Sequence, residues 1–590
     1  MLRSSTRALS AFVPRSGAPN SLALDGAFAQ AWRRPQPISA QLRPKQVSSY
    51  FPPALVALSS QRAFSTSSTQ RLFRTARANA DSVFQASEAP TPRPKRRGFF
   101  RTLGRVTTVL ILGAFGSYAY FVWQSQHPPD QLPQDPSKKT IVILGSGWGA
   151  TSLLKSLDTD AYNVIVISPV NYFLFTPLLP SVTVGTVDAR SITQATRLIT
   201  RFKKRAVQVI EAEAEAIDLA NKTVTFEDTS PIHGHVGKVT VPYDYLVYAV
   251  GSENSTFGIQ GVTDHACFLK EVGDAIKIRN RLMDCVESAL VTGLPQEEID
   301  RLLHYVVVGG GPTGIEYAAE LRDWVNGDLK RWYPEIADRV RVTLIEALPN
   351  VLPMFSKHLI EYTESTFRQN DINIMTRSMV KDCDSENVTV KTATGEVQKI
   401  PYGLLVWAAG NTTRTLTRNL QAALPEVQTE RRGLKVDDHL RLLGAEENVF
   451  ALGDATATPW APTAQAASQQ GTYLAKVFAQ MARKDALEKK LADAKETGED
   501  TTLVEKQLTK ASKIRSFHYS HQGSMAYVGS DRAIADVPWG SDGSISSAGA
   551  GTYLFWRSAY FSLLFSLRNR SLVAVDWIKT AVFGRDCGRE

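Results

Sequence analysis

Two runs of apolar, mostly β-branched residues end in glycine-rich turns. Residues 140–144 (TIVIL) precede GSGWGA at 145–150, and residues 304–308 (HYVVV) precede GGGPTGIE at 309–316. Unbroken apolar runs of this length are typical of strands buried on both faces of a parallel sheet. A strand, a glycine-rich turn and a helix predict a dinucleotide site, because glycines let the backbone approach a pyrophosphate at the helix N-terminus.

Each glycine turn is matched by a later apolar run that also ends in glycine. Residues 244–251 (DYLVYAVG) follow the first turn, and residues 402–410 (YGLLVWAAG) follow the second. Residues 448–455 (NVFALGDA) then place a carboxylate at a strand end, where it can accept a hydrogen bond from a ribityl chain. We therefore predict an α/β fold with two Rossmann-like dinucleotide-binding domains, one for FAD interrupted by one for NAD(P)H.

The residues at the ends of the second strands differ between the two units. The strand 164–167 ends in Ser168 and Pro169, although an FAD domain usually has an acid there to hold the ribose. The strand 340–345 ends in Glu346, 32 residues after Gly314. A carboxylate there can hydrogen-bond both ribose hydroxyls and repels a 2′-phosphate. This residue therefore favours NADH over NADPH.

The N-terminal residues have the composition of a targeting segment. Residues 1–80 contain ten Arg, one Lys and a single acid, Asp25, with abundant Ser and Ala. This composition predicts a mitochondrial transit peptide over residues 1–65, followed by a basic linker over residues 66–105. The alternative is a basic tail without a targeting role.

An uncharged segment follows the basic linker. Residues 106–129 contain no Asp, Glu, Lys or Arg, and their most apolar part, 106–123, predicts a transmembrane helix of about 27 Å. Because basic flanks remain on the inner side of a membrane, the charge predicts that the catalytic body faces the intermembrane space. If processing removes this segment, the body would face the matrix.

Two further segments are defined by composition. Residues 482–515 are charged and prone to helix, which predicts a solvated helical insert. Residues 551–570 and 573–583 are rich in aromatic residues interrupted by Arg and Lys. Both runs suit helices that lie in a membrane interface, although a core or dimer helix has the same composition.

Charge and cysteine content exclude other classes. Residues 1–105 hold 17 Lys and Arg against three Asp and Glu, while the whole chain carries +9, so the body is net acidic and nucleic acid is not an expected partner. Cys267, Cys285, Cys383 and Cys587 are too scattered for a zinc site or a redox pair. The nearest match to a calcium loop, residues 382–393, lacks the required Gly and Glu, so no metal site is predicted.

The combined motifs resemble the type II (alternative, rotenone-insensitive) NADH:ubiquinone oxidoreductases of mitochondria, and the layout is similar to the fungal external enzymes. The resemblance covers residues 138–590. It is carried by GSGWGA (145–150), YFLFTPLLP (172–180), GGGPTGIE (309–316), WAAGN (407–411), GDA (453–455) and AQAASQQ (464–470). It implies non-covalent FAD, NADH and ubiquinone as substrates, no proton pumping, and attachment to the inner membrane through the C-terminal region. We also expect a homodimer.

The resemblance also implies domain bounds and residue roles. The FAD domain takes residues 138–260 and 416–520, the NADH domain residues 261–415, and a membrane-anchoring region residues 521–590. The expected cofactor-binding residues are Gly145, Gly147, Trp148, Gly149, Ala150, Gly251, Gly309, Gly311, Gly314, Glu346, Gly410, Asn411, Gly453 and Asp454. Glu316 is expected near the nicotinamide, Thr176 and Pro177 beside the flavin, and Gln465 and Gln469 at the quinone.

Three alternatives stay open at this point. The first is the same enzyme facing the matrix. The second is a sulfide:quinone oxidoreductase, which needs redox cysteines at the flavin and for which Cys267 and Cys383 are the conceivable pair. The third is a signalling flavoprotein of the apoptosis-inducing type, in which turnover is secondary.

Overall fold

The computed structural model describes residues 97–230, 232, 237–539 and 543–589. The predicted transit peptide (1–65) and most of the basic linker lie outside these residues. Short 3-10 turns and one π-helical turn, Val325–Leu329, accompany the α-helices. The α-helices are α1 (Arg97–Gln126), α2 (Trp148–Ser156), α3 (Leu179–Val182), α4 (Thr196–Thr200), α5 (Val262–His265), α6 (Val272–Ala289), α7 (Gln296–Leu302), α8 (Pro312–Trp324), α9 (Lys330–Trp332), α10 (Pro334–Ala337), α11 (Lys357–Gln369), α12 (Thr415–Ala423), α13 (Ala464–Thr497), α14 (Thr502–Ala511), α15 (Ala550–Leu563) and α16 (Leu567–Phe583).

The strands alternate with these helices along most of the chain. They are β1 (Thr140–Leu144), β2 (Asn163–Ser168), β3 (Tyr172–Leu174), β4 (Thr193–Ala195), β5 (Val207–Glu211), β6 (Glu213–Asp218), β7 (Thr223–Glu227), β8 (Val239–Pro242), β9 (Tyr245–Tyr248), β10 (Ser252–Asn254), β11 (Cys267–Phe268), β12 (His304–Val308), β13 (Arg341–Ile345), β14 (Ile372–Met375), β15 (Met379–Cys383), β16 (Asn387–Lys391), β17 (Val397–Pro401), β18 (Leu404–Trp407), β19 (Asn411–Thr413), β20 (Val449–Ala451), β21 (Ser524–Gly529), β22 (Arg532–Trp539) and β23 (Gly543–Gly549).

Two parallel sheets confirm the predicted duplication. The first has the strand order β20-β9-β1-β2-β5, and the second has the order β11-β18-β12-β13-β14. The glycine turns follow β1 and β12, the central strands of the two sheets, and lead directly into α2 and α8. In each sheet the strand after the crossover helix pairs in parallel with this central strand, as β1 with β2 and β12 with β13. The predicted α/β fold with two Rossmann-like units is therefore correct.

Antiparallel strands connect and extend these units. The strands β10 and β19 pair as the chain enters and leaves the second unit, with Asn254 opposite Asn411. Three-stranded antiparallel sheets, β6-β7-β8 and β15-β16-β17, are inserted before β9 and β18. A third, β21-β22-β23, forms the first half of the C-terminal region, for which the sequence predicted helices alone.

The charged segment 482–515 differs from the predicted insert. The helix that begins at Ala464 runs without a break to Thr497 and ends at Gly498 in a left-handed conformation. A second helix, α14, then packs back against it, and Gln480 of α13 donates hydrogen bonds to the carbonyl groups of Ala511 and Lys513. The predicted helical content is correct, but most of it extends the helix that packs on the flavin unit.

The C-terminal helices carry apolar side chains on their buried faces and on their exposed faces. Trp556 of α15 and Val573 of α16 are buried in the largest hydrophobic cluster, together with α6 and α8. Their opposite faces leave large apolar side chains exposed, namely Leu554, Phe555, Leu563, Val575, Ile578, Val582 and Phe583. Helix α1 contains one stretch, Gly104–Gln126, that is long and apolar enough to cross a membrane, and its side chains are exposed.

Candidate active site

A cavity of about 1390 Å³ lies at the carboxyl ends of the first parallel sheet, where the two units meet. The first unit contributes the glycine turn 145–149 and the residues that follow β9 and β20. The second unit contributes Thr313 of α8 and the residues after β18. The expected site residues that line the cavity are Gly145, Gly147, Trp148, Gly149, Thr176, Gly251, Gly410, Asn411, Gly453 and Asp454. Ala150 is buried behind them in α2.

The glycine turns have the geometry that a pyrophosphate needs. Gly147 is the N-terminal cap of α2, and Gly311 is the N-terminal cap of α8. A Cβ atom on either glycine would have no protein atom within 4 Å, so both positions face open space. The preceding glycines, Gly145 and Gly309, have φ of 106° and 116°, which L side chains rarely adopt. Each helix N-terminus is therefore exposed to a phosphate group.

A partly buried polar cluster lies at the wall of the cavity. The Lys270 Nζ donates to the Ser252 Oγ (3.0 Å) and to the Asn411 Oδ1 (2.8 Å). The Ser252 Oγ in turn donates to the Asp454 Oδ2 (3.4 Å). Burial lowers the pKa of Lys270, which nearby Asp454 opposes. Burial likewise raises the pKa of Asp454, and Lys270 opposes that change. The two charges thus stabilise each other in a desolvated place.

Sequence reasoning found Asp454 and Asn411 but missed Lys270 and Ser252. Lys270 follows the short strand β11, which carries no glycine or acidic pattern. Its contacts depend on the β10–β19 pair, which brings Ser252 opposite Thr413 and sets Asn411 nearby. No local signal in the sequence indicates that long-range pairing.

Trp148 lines the cavity, and buried aromatic rings behind it continue to the C-terminal helices. The Trp148 ring lies 5.0 Å from the Phe173 ring and 5.4 Å from the Phe175 ring, between ring centroids. Phe175 then contacts Tyr560 of α15, with centroids 6.2 Å apart. The Trp148 Nε1 donates to the Thr176 Oγ1 (3.1 Å). Thr176 begins a short 3-10 turn, Thr176–Leu178, in which Pro177 is the second residue. An apolar, aromatic wall thus joins the cavity to the C-terminal region.

Glu346 lies beside the second glycine turn. It directly follows β13, and its Oε2 accepts a hydrogen bond from the Gly310 N–H (2.5 Å). Its Oε1 accepts from the Leu348 N–H (2.7 Å). The carboxylate is therefore fixed at the carboxyl end of β13, which is where a ribose would lie in a dinucleotide domain.

Glu316 lies away from the cavity. Its side chain, 6% exposed, points from α8 to the C-terminal sheet, where its Oε1 accepts a hydrogen bond from the Tyr527 N–H (3.1 Å). Burial raises the pKa of Glu316 to about 8, against the opposing effect of the Tyr527 N–H. The raised pKa favours the protonated carboxyl group, as expected for a carboxyl that has no nearby cation among the described residues and lies in a desolvated place. Its expected place near a nicotinamide stays a prediction.

The two glutamines expected at the quinone are engaged with the backbone. The Gln465 Nε2 donates to the carbonyl oxygen of Gly523 (2.7 Å), and the Gln469 Nε2 donates to that of Ser520 (2.8 Å). The Gln469 Oε1 also accepts from the Ser520 N–H (3.0 Å). These amides join α13 to the segment that leads into β21, and a contact with quinone stays a prediction.

The cysteines do not form a redox centre at this site. All four lie within the described residues, all are free, and none lines the cavity. Burial raises the pKa of Cys285 and of Cys383 to about 11, so their thiols stay protonated. The sulfide alternative lacks the cysteine pair that it requires.

The fold and this cavity define a flavoprotein oxidoreductase with two dinucleotide sites. Residues 139–471 match the family described as pyridine nucleotide-disulphide oxidoreductase, and residues 521–586 match the NDH2 C-terminal domain. The chain belongs to this oxidoreductase family, in its NADH-ubiquinone oxidoreductase branch.

Similar proteins support the assignment along most of the chain. The external alternative NADH-ubiquinone oxidoreductase of Yarrowia lipolytica mitochondria is 48% identical, over 85% of this chain and 89% of that protein. The external NADH-ubiquinone oxidoreductase 2 of Saccharomyces cerevisiae mitochondria is 43% identical, over 83% and 90%. The solved structure of NDH2 from Plasmodium falciparum in complex with NADH superposes with a TM-score of 0.68 at 29% identity, covering 76% of this chain and all of that one.

Proposed function

We propose that this protein is a mitochondrial NADH:ubiquinone oxidoreductase that uses FAD and does not pump protons. The observation that carries the proposal is the cavity in which residues of both dinucleotide units meet an aromatic wall. The relatives and the structural neighbour, whose names and titles mention NADH and ubiquinone, support it.

The cavity residues fit FAD. Gly147 leaves room for a pyrophosphate at the N-terminus of α2, and Asp454 lies beside the cavity at a strand end, where it can accept a hydrogen bond from a ribityl hydroxyl. Lys270 would hold Ser252 and Asn411 in place, and Ser252 in turn donates to Asp454. When bound, FAD accepts a hydride from NADH and passes two electrons to ubiquinone. The protein supplies orientation and excludes water around this transfer.

The second glycine turn would bind NADH. Gly311 leaves the N-terminus of α8 open to the pyrophosphate, and Glu346 would hydrogen-bond the adenosine ribose. Because Glu346 is negatively charged, a 2′-phosphate in that position would be repelled, which favours NADH. Thr313, Ala408 and Gly410 line the shared cavity from this unit and would direct the nicotinamide toward the flavin.

Ubiquinone would enter along the aromatic wall. Thr176 and Leu179 line the cavity, and Phe173 and Phe175 connect them to Phe565 and Tyr560 of the C-terminal region. A flat quinone ring would lie against this wall in a slot open to the membrane side.

We infer that the body is attached to the inner membrane and faces the intermembrane space. The exposed apolar residues of α15 and α16 would enter the interface, and α1 would cross the bilayer with the basic linker in the matrix. A homodimer is part of the proposal, because the same exposed faces can also pair with a second copy.

The chemistry is tested with the purified protein. We expect about one FAD per chain, loss of its visible absorption on anaerobic addition of NADH, and recovery of that absorption on addition of ubiquinone-1. If NADH failed to bleach the flavin, the oxidoreductase proposal would be wrong. If bleaching occurred but ubiquinone-1 restored nothing, the quinone would not be the acceptor.

A further inference from the structure

The last residues of the chain pack across the NADH-binding unit. Arg585, which follows α16, inserts its side chain between α8 and the turn 183–187. Its Nη2 lies 3.3 Å from the Glu320 Oε2, and its Nη1 lies 3.1 Å from the Asp328 Oδ2. Its backbone N–H also donates to the Asp328 Oδ1 (3.0 Å). This ion-paired group is buried: the side chain of Arg585 is 14% exposed, that of Glu320 7% and that of Asp328 6%.

The same guanidinium also reaches the flavin unit. The Arg585 Nε donates to the Thr186 Oγ1 (2.8 Å), and this hydroxyl donates its own proton to the Glu320 Oε2 (2.7 Å). The Ser181 Oγ donates to the other oxygen of Glu320 (2.7 Å). Both hydroxyl groups belong to the segment that leads away from the cavity. One buried arginine and two carboxylates therefore hold this segment against α8.

This segment begins at the cavity. Thr176 and Leu179 line the cavity, and Ser181 lies in α3, the short helix that Leu179 starts. Val182, Val184 and Val187 are buried in the core along this segment. Because packed cores transmit strain, a displacement at Thr186 would reach Thr176 and the aromatic wall.

We propose that Arg585 is a positioning residue that sets the quinone side of the cavity. It acts through Glu320, Thr186 and Ser181 on the segment 176–186, and it touches neither cofactor nor substrate. The second glycine turn and Glu346 are held by β12 and β13, and Glu320 lies in the second half of α8, away from the Gly311 cap. Loss of Arg585 should therefore impair quinone reduction more than NADH oxidation. This inference rests on the proposed function, in which ubiquinone enters along the wall.

The test compares two electron acceptors in the full-length protein, reconstituted in liposomes with FAD. Ferricyanide is small and soluble and accepts electrons from the flavin without the quinone slot, whereas ubiquinone-1 requires the slot.

The variants are Arg585→Met, which leaves two buried carboxylates without a counter-ion, and Arg585→Lys, which retains the charge but cannot contact three partners in a fixed geometry. Thr186→Val removes only the bridging hydroxyl. The control is Arg589→Met, which removes an exposed ion pair with Asp284 from the same tail.

We expect Arg585→Met to raise the KM for ubiquinone-1 roughly tenfold, because small misplacements near a reacting centre have large effects. Its ferricyanide activity, its KM for NADH and its FAD content should stay within about twofold of the wild type. The KM of Arg585→Lys for ubiquinone-1 should lie between those of the wild type and Arg585→Met. Thr186→Val should raise this KM about threefold, and Arg589→Met should change neither the ubiquinone-1 nor the ferricyanide activity.

An equal fall in both activities of Thr186→Val would overturn the inference, as would an unchanged KM for ubiquinone-1 in that variant. Thr186→Val decides the question if Arg585→Met fails to fold or loses its FAD. A wild-type protein that reduces ferricyanide but not ubiquinone-1 would instead overturn the proposed function and, with it, this inference. The wild-type assay thus separates the two failures.

Discussion

Glu346 accepts a hydrogen bond from the backbone N–H of Gly310, with 2.5 Å between the Oε2 and the nitrogen. The bond joins the end of β13 to the glycine turn after β12 and leaves the carboxylate beside the dinucleotide path. The negative charge on Glu346 should therefore decide between NADH and NADPH.

We predict that Glu346→Gln raises the ratio of kcat/KM for NADPH to that for NADH by about tenfold, because the charge that repels the 2′-phosphate is removed. The amide oxygen of the glutamine can still accept the hydrogen bond from the Gly310 N–H. Steady-state kinetics with both substrates measures this ratio. Glu361→Gln, on the exposed surface of α11 in the same unit, is the matched control and should leave the ratio unchanged. An unchanged ratio in Glu346→Gln would refute the ribose assignment.

The two open glycines allow the two dinucleotide sites to be separated. A methyl group on Gly311 would fill the approach to α8, so Gly311→Ala should raise the KM for NADH by about tenfold or more and leave the FAD content unchanged. Gly147→Ala should have the opposite pattern, with less FAD per chain and an unchanged KM for NADH in the fraction that retains it. Each variant is the control for the other. If both variants lost FAD equally, the assignment of one glycine turn to each nucleotide would be wrong.

Lys270 should stabilise bound FAD through its contacts in the cavity wall. We predict that Lys270→Met weakens FAD binding by roughly tenfold, because Asp454 would lose its nearest cation and Ser252 and Asn411 would lose a donor. Flavin fluorescence released on dilution measures the dissociation constant. Lys277→Met, on the exposed side of α6, should retain wild-type affinity. Equal affinities for both variants would remove Lys270 from the site.

Glu316 should make the stability of the protein depend on pH. Its pKa is raised by burial to about 8 from an ordinary 4.5, so the folded state holds its proton through a range in which the unfolded chain has lost it. The contribution of the Glu316 proton to the free energy of unfolding is complete below about pH 4.5. This contribution is lost by about 1.4 kcal/mol per pH unit as the pH rises toward 8. Asp323, with its pKa raised by burial to about 6, acts in the same direction at lower pH.

Thermal unfolding of the wild type and of Glu316→Gln between pH 5.5 and 8.5 tests this dependence. The glutamine retains the acceptor for the Tyr527 N–H but does not ionise, so its Tm should fall less with rising pH. Parallel Tm curves for the two proteins would contradict the raised pKa.

The sequence predicted those parts of the fold that depend on local pattern. The runs 140–144 and 304–308 became β1 and β12 with the bounds expected, because an unbroken apolar run before a glycine turn has few other structures open to it. The C-terminal helices α15 and α16 followed from their aromatic and basic composition, although a break at 564–566 separates them.

Long-range contacts could not be predicted in the same way. Lys270 reaches Asn411 across 141 positions, and Arg585 reaches Glu320 across 265, and neither residue carries a local motif. The sheet β21-β22-β23 was missed because its strands are rich in Ser, Gly and Ala, which are not typical strand residues. Glu316 follows the glycine motif directly, yet its helical position points it to Tyr527, on an element more than 200 residues later.

We propose that the chain oxidises NADH outside the inner membrane and passes the electrons to ubiquinone. The decisive experiment adds NADH to sealed mitochondria that contain this protein, with the proton-pumping NADH dehydrogenase inhibited. NADH does not cross the inner membrane, so we expect rapid, quinone-dependent oxidation by intact organelles. Oxidation that appears only after the membrane is permeabilised would contradict the outward orientation, and no oxidation in either state would contradict the proposed reaction.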